Sequence, residues 1–318
     1  MVRETKERSR WSMTKTLKIL EIARSTYQRW AKEGFSGTEP PRSSAGSMFE
    51  LLPRERQVIR DYALEHPEIR HRELAWRMLD EGVCAVSSSS VYRVLREAGL
   101  VCRWKPKVKV KGSGREAPPS RPDEKWQTDI KYVHGEVGNY YLLSFMDVYS
   151  RYIVYHALLR RMDGQTVSTE AAAALEHLDS DVRPDIQSDH GSGFISREFA
   201  ETLSAFGVTH KKIRPHTPTD NAEIERYHRT LDDPLSELDR EDFASTREAV
   251  DQIIDRYNHE RLHSALSFLR PLDYYRGNPE ELLAERRRKL REARELRKQE
   301  NLKLRQRLIP WQEVKTVA

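Results

Sequence analysis

The stretch Pro215-His-Thr-Pro-Thr-Asp-Asn-Ala-Glu-Ile-Glu-Arg-Tyr-His-Arg-Thr-Leu231 opens with turn residues and then reads as a helix. Thr219 or Asp220 is placed to cap the helix start, because a short polar side chain accepts from the free N–H groups there. Glu223 and Glu225 follow in the first two turns. Two positions apart, they point to different sides of the helix, so at most one joins a given cluster. The partners such a cluster needs are acids upstream.

Working back from this helix, residues 208–213 read as a strand, 196–206 as a helix, and 184–189 as a short strand bent by Gly191-Ser-Gly193. An Ala-rich helix is expected over about 165–178. Before it come three aromatic and β-branched runs, 126–133, 140–147 and 151–158, joined by short turns and expected to form an antiparallel meander. Three strands followed by helix–strand–helix–strand–helix give an α/β fold with a five-stranded mixed sheet flanked by helices.

The upstream acids lie on these strands. Asp129 sits inside a strand, where a carboxylate is costly to bury unless paired or bound to a metal. Asp189 ends a strand before the glycine bend. Between Asp129 and Asp189 lie 59 residues, and between Asp189 and Glu225 lie 35. Three carboxylates at strand and helix ends suit a hard cation with oxygen ligands, Mg²⁺ or Mn²⁺. Two such ions activate an attacking oxygen and stabilise a leaving one in phosphoryl transfer. Asp147, at another strand end, reads as a turn cap or a fourth acid.

The flanks differ from this centre in charge. Residues 1–115 carry 24 Lys/Arg against 14 Asp/Glu, residues 116–285 carry 19 against 32, and residues 286–318 carry 12 against 4. Basic arms favour a polyanion such as double-stranded DNA; uneven surface charge with no partner is the plainer alternative. A small helix-turn-helix is expected within residues 1–34, its second helix capped by Ser25 or Thr26 and carrying Arg29. A helical domain over 50–102 ends in Val91-Tyr-Arg-Val-Leu-Arg-Glu-Ala, with Arg93 and Arg96 as candidate DNA contacts; packing alone also explains it. Basic residues alternate through the linker 103–122: Arg103, Lys105, Lys107, Lys109 and Lys111. The catalytic core is expected over 123–275 and a basic helical tail over 276–318. The tail's apolar stripe, Leu283, Leu290, Ala293 and Leu296, is compatible with DNA, a partner helix or simple solvation. Lys211, Lys212, Arg214, Asn221, His228 and Arg229 are candidate DNA contacts near the acids, with the turn 215–219 as an approach for DNA.

Composition, 33% charged and 37% hydrophobic, suits a soluble chain. No apolar run approaches the roughly 20 residues that span a membrane. Two cysteines, Cys84 and Cys102, are too few for a disulfide framework, so the cytoplasm is the expected compartment.

Trp-Gln-Thr-Asp129, Ser-Asp189-His-Gly-Ser-Gly-Phe and Asp220-Asn-Ala-Glu-Ile-Glu225-Arg-Tyr-His-Arg-Thr-Leu resemble the three signatures of bacterial insertion-sequence transposases of the DDE type, whose core is similar to that of retroviral integrases. The gap of 35 matches the family's second spacing, and Tyr257-Asn-His-Glu-Arg-Leu-His263-Ser-Ala-Leu resembles its segment after the core. The resemblance covers about 120–275. It implies a ribonuclease H-like core, metal-dependent nicking of DNA ends and joining of the 3′-hydroxyl to another strand. It carries Asp129, Asp189 and Glu225 over as catalytic metal ligands and leaves Glu223 out. Self-association to a dimer or larger assembly is expected, because two DNA ends must meet. His190 stands where the family often has Arg. A nuclease or resolvase on the same core, or a non-catalytic DNA-binding regulator, are the alternatives.

Overall fold

The structure is a computed structural model of the chain. It describes all residues except 1, 21, 33–46, 102–116, 135–137, 179–180, 215–217, 239–241 and 309–318, together with the side chains of some helical residues, Arg29 among them. Residues 51–294 form one compact unit, and residues 1–50 with 295–318 form a second.

In the second unit, helices α1 (Val2–Ser9), α2 (Met13–Ile19) and α3 (Arg24–Lys32) lie in sequence. Ser12 caps α2 by accepting from Lys15 N–H. Ser25 and Thr26 are not caps, as α3 already starts at Arg24.

The larger unit opens with α4 (Pro53–Glu65), α5 (His71–Asp80) and α6 (Ser88–Glu97). Pro53 occupies the first turn of α4, where its missing N–H has no consequence. Ser87 caps α6 by accepting from Ser90 N–H. Ile59, Leu74, Met78, Val91 and Val94 close a small apolar core between the three helices.

The sheet follows. Strands β1 (Lys125–His134), β2 (Asn139–Asp147) and β3 (Ile153–Leu159) form the expected antiparallel meander. After α7 (Gly164–Glu176), β4 (Asp185–Ser188) pairs parallel to β1; after α8 (Arg197–Ala205), β5 (His210–Lys212) pairs parallel to β4. The order β3-β2-β1-β4-β5 is a five-stranded mixed sheet of the ribonuclease H-like kind. Helices α9 (Ala222–Ser236), α10 (Phe243–His259), α11 (Pro271–Tyr275) and α12 (Pro279–Leu308) complete the chain.

Because side chains alternate along a strand, the sheet has two differently covered faces. Trp126, Leu143, Phe145 and Ile186 pack with Val167 of α7 and Phe199 and Leu203 of α8. Val133, Leu142, Met146 and Ile153 pack with Ile224, Tyr227 and Leu231 of α9 and Ile254 of α10. Ile224, Tyr227, Leu231 and Leu235 recur at helical spacing, which is why α9 lies flat on the sheet. Asn258 of α10 pins the neighbouring strand: its Oδ1 accepts Ile153 N–H at 2.9 Å and its Nδ2 donates to Ile153 O at 3.0 Å.

The helix α12 lies within the tail expected over 276–318. Its inward side differs from the expected stripe, since Leu296 is 59% exposed while Arg286 is buried. The Arg286 guanidinium donates to both Asp80 carboxylate oxygens and to the carbonyls of Ser267 and Phe268 at 2.9 and 2.8 Å. It also stacks over Trp76, 4.8 Å from the ring centre. Five N–H donors in a planar fork allow one arginine to join α5 to the 267–268 turn. No described helix is long and apolar enough to cross a membrane.

Candidate active site

The start of α9 is set by β1. Gln127, 1% exposed, donates from Nε2 to Asp220 O at 2.8 Å and reaches Glu223 Oε2 at 3.3 Å, while its Oε1 accepts Ile224 N–H at 3.1 Å. A strand amide thus satisfies a free donor of the helix's first turn, the task usually done by a cap. The sequence expectation placed that task on Thr219 or Asp220. Instead the N-cap residue is Asn221, without a side-chain capping bond. The Asp220 carboxylate faces away and takes a two-pronged ion pair from Arg214, at 2.9 and 2.8 Å. That pairing holds the Asp220 carboxyl below its ordinary range.

Asp129 lies two residues beyond Gln127 and therefore on the same face of β1, toward α9. The parallel pairs Lys125↔Asp185, Trp126↔Ile186 and Gln127↔Gln187 have a constant offset of 60. Continued by two residues, that offset sets Asp189 level with Asp129, with strands about 5 Å apart. The Asp189 Oδ1 accepts Gly191 N–H at 2.8 Å. A Cβ at Gly191 would stand 3.0 Å from that oxygen and 3.3 Å from the Phe194 ring, so the glycine makes room for the carboxylate.

Glu225 comes from α9. Burial raises its carboxyl above the ordinary range; Arg229, one turn on, opposes this, the charge of Asp129 adds to it, and His228 opposes it more weakly. Glu225 therefore feels the charge of Asp129. His228 stands between helix and strand, buried, with Nδ1 3.4 Å from Asp129 Oδ2. Its Nε2 has no hydrogen-bond partner among the described residues, and neither does Oδ1 of the buried Asn221. Glu223 points elsewhere, to Gln127 and to Arg151 Nη2 at 3.6 Å.

Among the described residues, no three His, Cys, Asp or Glu side chains close on a common point as a finished metal site. The Asp129 Oδ1 takes Ile130 N–H at 2.8 Å, and Asp189 is held by Gly191. The three acids offer only carboxylate oxygens, a donor type that fits a hard divalent cation. Asp147 is separate from this group. It is fully buried, accepts from Asp123 N–H and from Ser150 N–H and Oγ–H, and so caps the turn after β2. Burial pushes its carboxyl up to about 6, against the pull of those hydrogen bonds.

The candidate DNA contacts scatter. Arg93 and Arg96 are exposed on α6, and Arg93 donates to Ser89 O and Ser90 Oγ on its own helix. Lys211 pairs with Asp185 at 2.7 Å, Lys212 is exposed, and Arg214 is taken by Asp220. Arg229 is exposed one turn from Glu225. The Arg29 side chain, residues Arg103, Lys105, Lys107, Lys109 and Lys111, and 215–217 of the approach turn lie outside the described residues. The sequence reading overlooked Gln127 and Arg151. The signal for Gln127 was present: it is two residues before Asp129, hence on the same strand face.

Comparison with known proteins places the same segments in one group. One Integrase core domain model matches residues 119–218 and a second matches residues 206–271. The uncharacterized 31.7 kDa protein of insertion element IS407 from Burkholderia multivorans is 30% identical over 222 residues, covering 67% of this chain and 78% of that protein. The transposase for insertion sequence element IS904 from Lactococcus lactis is 29% identical over 163 residues, 49% of this chain; the match spans 63% of that protein's length. Among solved structures, the HTLV-2 integrase catalytic core domain in complex with magnesium aligns with a TM-score of 0.39 at 16% identity, covering 49% of this chain and 97% of that one.

Proposed function

The chain belongs to the bacterial insertion-sequence transposases with an integrase-like core, and from that membership we propose that it is a DNA transposase that nicks element ends and joins the freed 3′-hydroxyl to another strand. What supports this reading is the parallel register of β1 and β4, which continued two residues past Gln127↔Gln187 brings Asp189 level with Asp129, together with the charge of Asp129 felt by Glu225 from α9. Asp129, Asp189 and Glu225 would hold Mg²⁺ or Mn²⁺, two ions in the full reading, which supply charge neutralisation and an activated attacking oxygen.

The chain's own residues prepare that chemistry. Glu225, whose proton affinity is raised by burial and, after the opposing pull of Arg229, by the charge of Asp129, gains from a cation's arrival. His228 orients Asp129, and Gln127 fixes the first turn of α9, and with it Glu225, against β1. Gly191 leaves space for Asp189. The exposed arginines of α6 and the basic linker serve as readers of element ends, the chain works as a dimer or larger assembly, and its compartment is the cytoplasm, on nucleoid DNA.

The test is joining of a labelled oligonucleotide duplex in Mg²⁺ by the full chain, by Glu225→Gln and by Asp129→Asn. Each substitution is expected to lower joining by about 10³-fold or more, the scale of losing a group that stabilises transition-state charge, with thermal midpoint unchanged. Full joining by Glu225→Gln sinks the site assignment. Cleavage without joining by the wild type supports a nuclease, and binding without cleavage supports a regulator.

A further inference from the structure

A second group of charges lies at the same end of α9, on the side away from Glu225. Glu223 and Arg226 are three residues apart and so share one side of the helix. Glu223 meets Arg151, which leaves the turn after β2 with φ of 63°. Tyr227, on the next position of α9, packs edge-on against Tyr257 of α10 with ring centres 4.9 Å apart. One turn past Tyr257 the chain reaches Arg261, and two residues later His263. The His263 backbone is fixed by donation to Leu269 O at 3.0 Å and acceptance from Phe268 N–H at 3.0 Å. Its Nδ1 accepts Ala265 N–H at 3.3 Å, which leaves Nε2 as the protonated, donating nitrogen of a neutral ring.

The ion pair, the helical spacings and the ring contact thus gather three guanidiniums around Tyr257 and His263. Both groups register that field. Burial first, then Arg151, Arg261 and Arg226, push the His263 imidazole down to about 4. The same three arginines oppose the burial that lifts the Tyr257 phenol to about 12. Glu223 is in ion-pair contact with Arg151. Arg226 and Arg261 are exposed, and neither side chain makes a hydrogen bond or ion pair among the described residues. Positive charges gathered in this way repel one another, and an arriving anion relieves that repulsion.

We propose that Arg151, Arg226 and Arg261, arranged around His263, seat one phosphate of a DNA backbone beside the three acids. Guanidinium forks match phosphate oxygens, and a neutral imidazole adds a donor. The seat rests on the strand-transfer reading for its choice of DNA as the polyanion. Unlike the acids, it needs no divalent ion, so it acts in chelator. It holds the duplex next to the acids before chemistry starts, which counters their repulsion of DNA.

The experiment measures binding of the full chain to a duplex of arbitrary sequence in EDTA, as a function of salt. The variants are Arg226→Gln, Arg261→Gln, the double variant, and Arg247→Gln near the far end of α10 as a control. All three arginines are exposed, and thermal midpoints verify folding. Each seat variant is expected to weaken binding by about 3–10-fold, with the double variant lowering the slope of log K against log salt by about 1. Sharing one phosphate, the two losses combine to less than their product. The control is expected to shift binding less than 2-fold, roughly the scale of a distant surface charge. Unchanged slopes, losses equal to the control's, or losses that multiply independently overturn the seat. Wild-type joining in Mg²⁺ is measured alongside. Joining with unaffected seat variants removes the seat and leaves strand transfer standing; seat-dependent binding without joining does the reverse.

Discussion

On the α7–α8 side of the sheet, Trp126, Leu143, Phe145 and Ile186 meet Val167, Phe199 and Leu203, a wholly apolar contact. On the α9–α10 side, residues of the same strands include Gln127, Asp129, Ser144, His156 and Gln187. There Gln127 bonds to the first turn of α9, His156 Nε2 lies 2.9 Å from Asp251 Oδ1, and Asp129 faces His228. Strand alternation lets adjacent residues take these opposite roles: Trp126 is core on one side and Gln127 is a helix anchor on the other. The apolar face packs the sheet against α7 and α8. The mixed face packs Val133, Leu142 and Ile224 and sets polar groups among them, Gln127 and Asp129 near the start of α9 and Lys131, paired with Asp232, further along.

The largest expected stability effect separates the faces. Phe199→Ala on α8 removes a fully buried ring and should destabilise by about 3–5 kcal/mol, read from urea unfolding, while strand joining persists below the lowered midpoint. A joining loss as large as that of Asp129→Asn would break the division between a stabilising face and a chemical one.

Next in size is the turn cap of β2. The buried Asp147 carboxyl titrates near 6 rather than the ordinary 3.8, so the folded chain binds this proton more tightly than the unfolded one. Its contribution to stability is fullest below the unfolded value and falls as pH rises through the folded one, by about 3 kcal/mol in total. Unfolding free energies of wild type and Asp147→Asn, measured from about pH 4 to 7, should therefore differ by a pH-dependent amount that levels off above about 6. A constant difference would mean that Asp147 keeps its charge despite burial.

The smallest stability effect sharpens the mixed face. Gln127→Leu leaves Asp220 O and Ile224 N–H without their partner and should destabilise by about 1–3 kcal/mol. Its joining loss should exceed what that modest destabilisation explains, because the first turn of α9 loses its tie to β1. Joining at wild-type rate would reduce Gln127 to a packing residue.

Much of this architecture was legible in the chain itself. Aromatic and β-branched runs marked β1 to β3, the turn residues marked their ends, and the turn residues before Ala222 marked the start of α9. These signals are local, repeating within two or four residues. The three proposed ligands stand in the sequence as an ordered set with a spacing of 35. Tertiary structure decided the rest. It gave the capping of α9 to Gln127, 97 residues from Ile224, and Arg214 to Asp220 instead of to open solvent. It buried Arg286 against Asp80, 206 residues away, where the sequence left a basic helix open to DNA, a partner helix or solvent. It gathered Arg151, Arg226 and Arg261 from three separate elements. A periodic pattern reports how a residue sits on its own helix or strand. Which distant group completes a buried donor or balances a charge depends on strand register and helix packing, and those exist only once the sheet has formed.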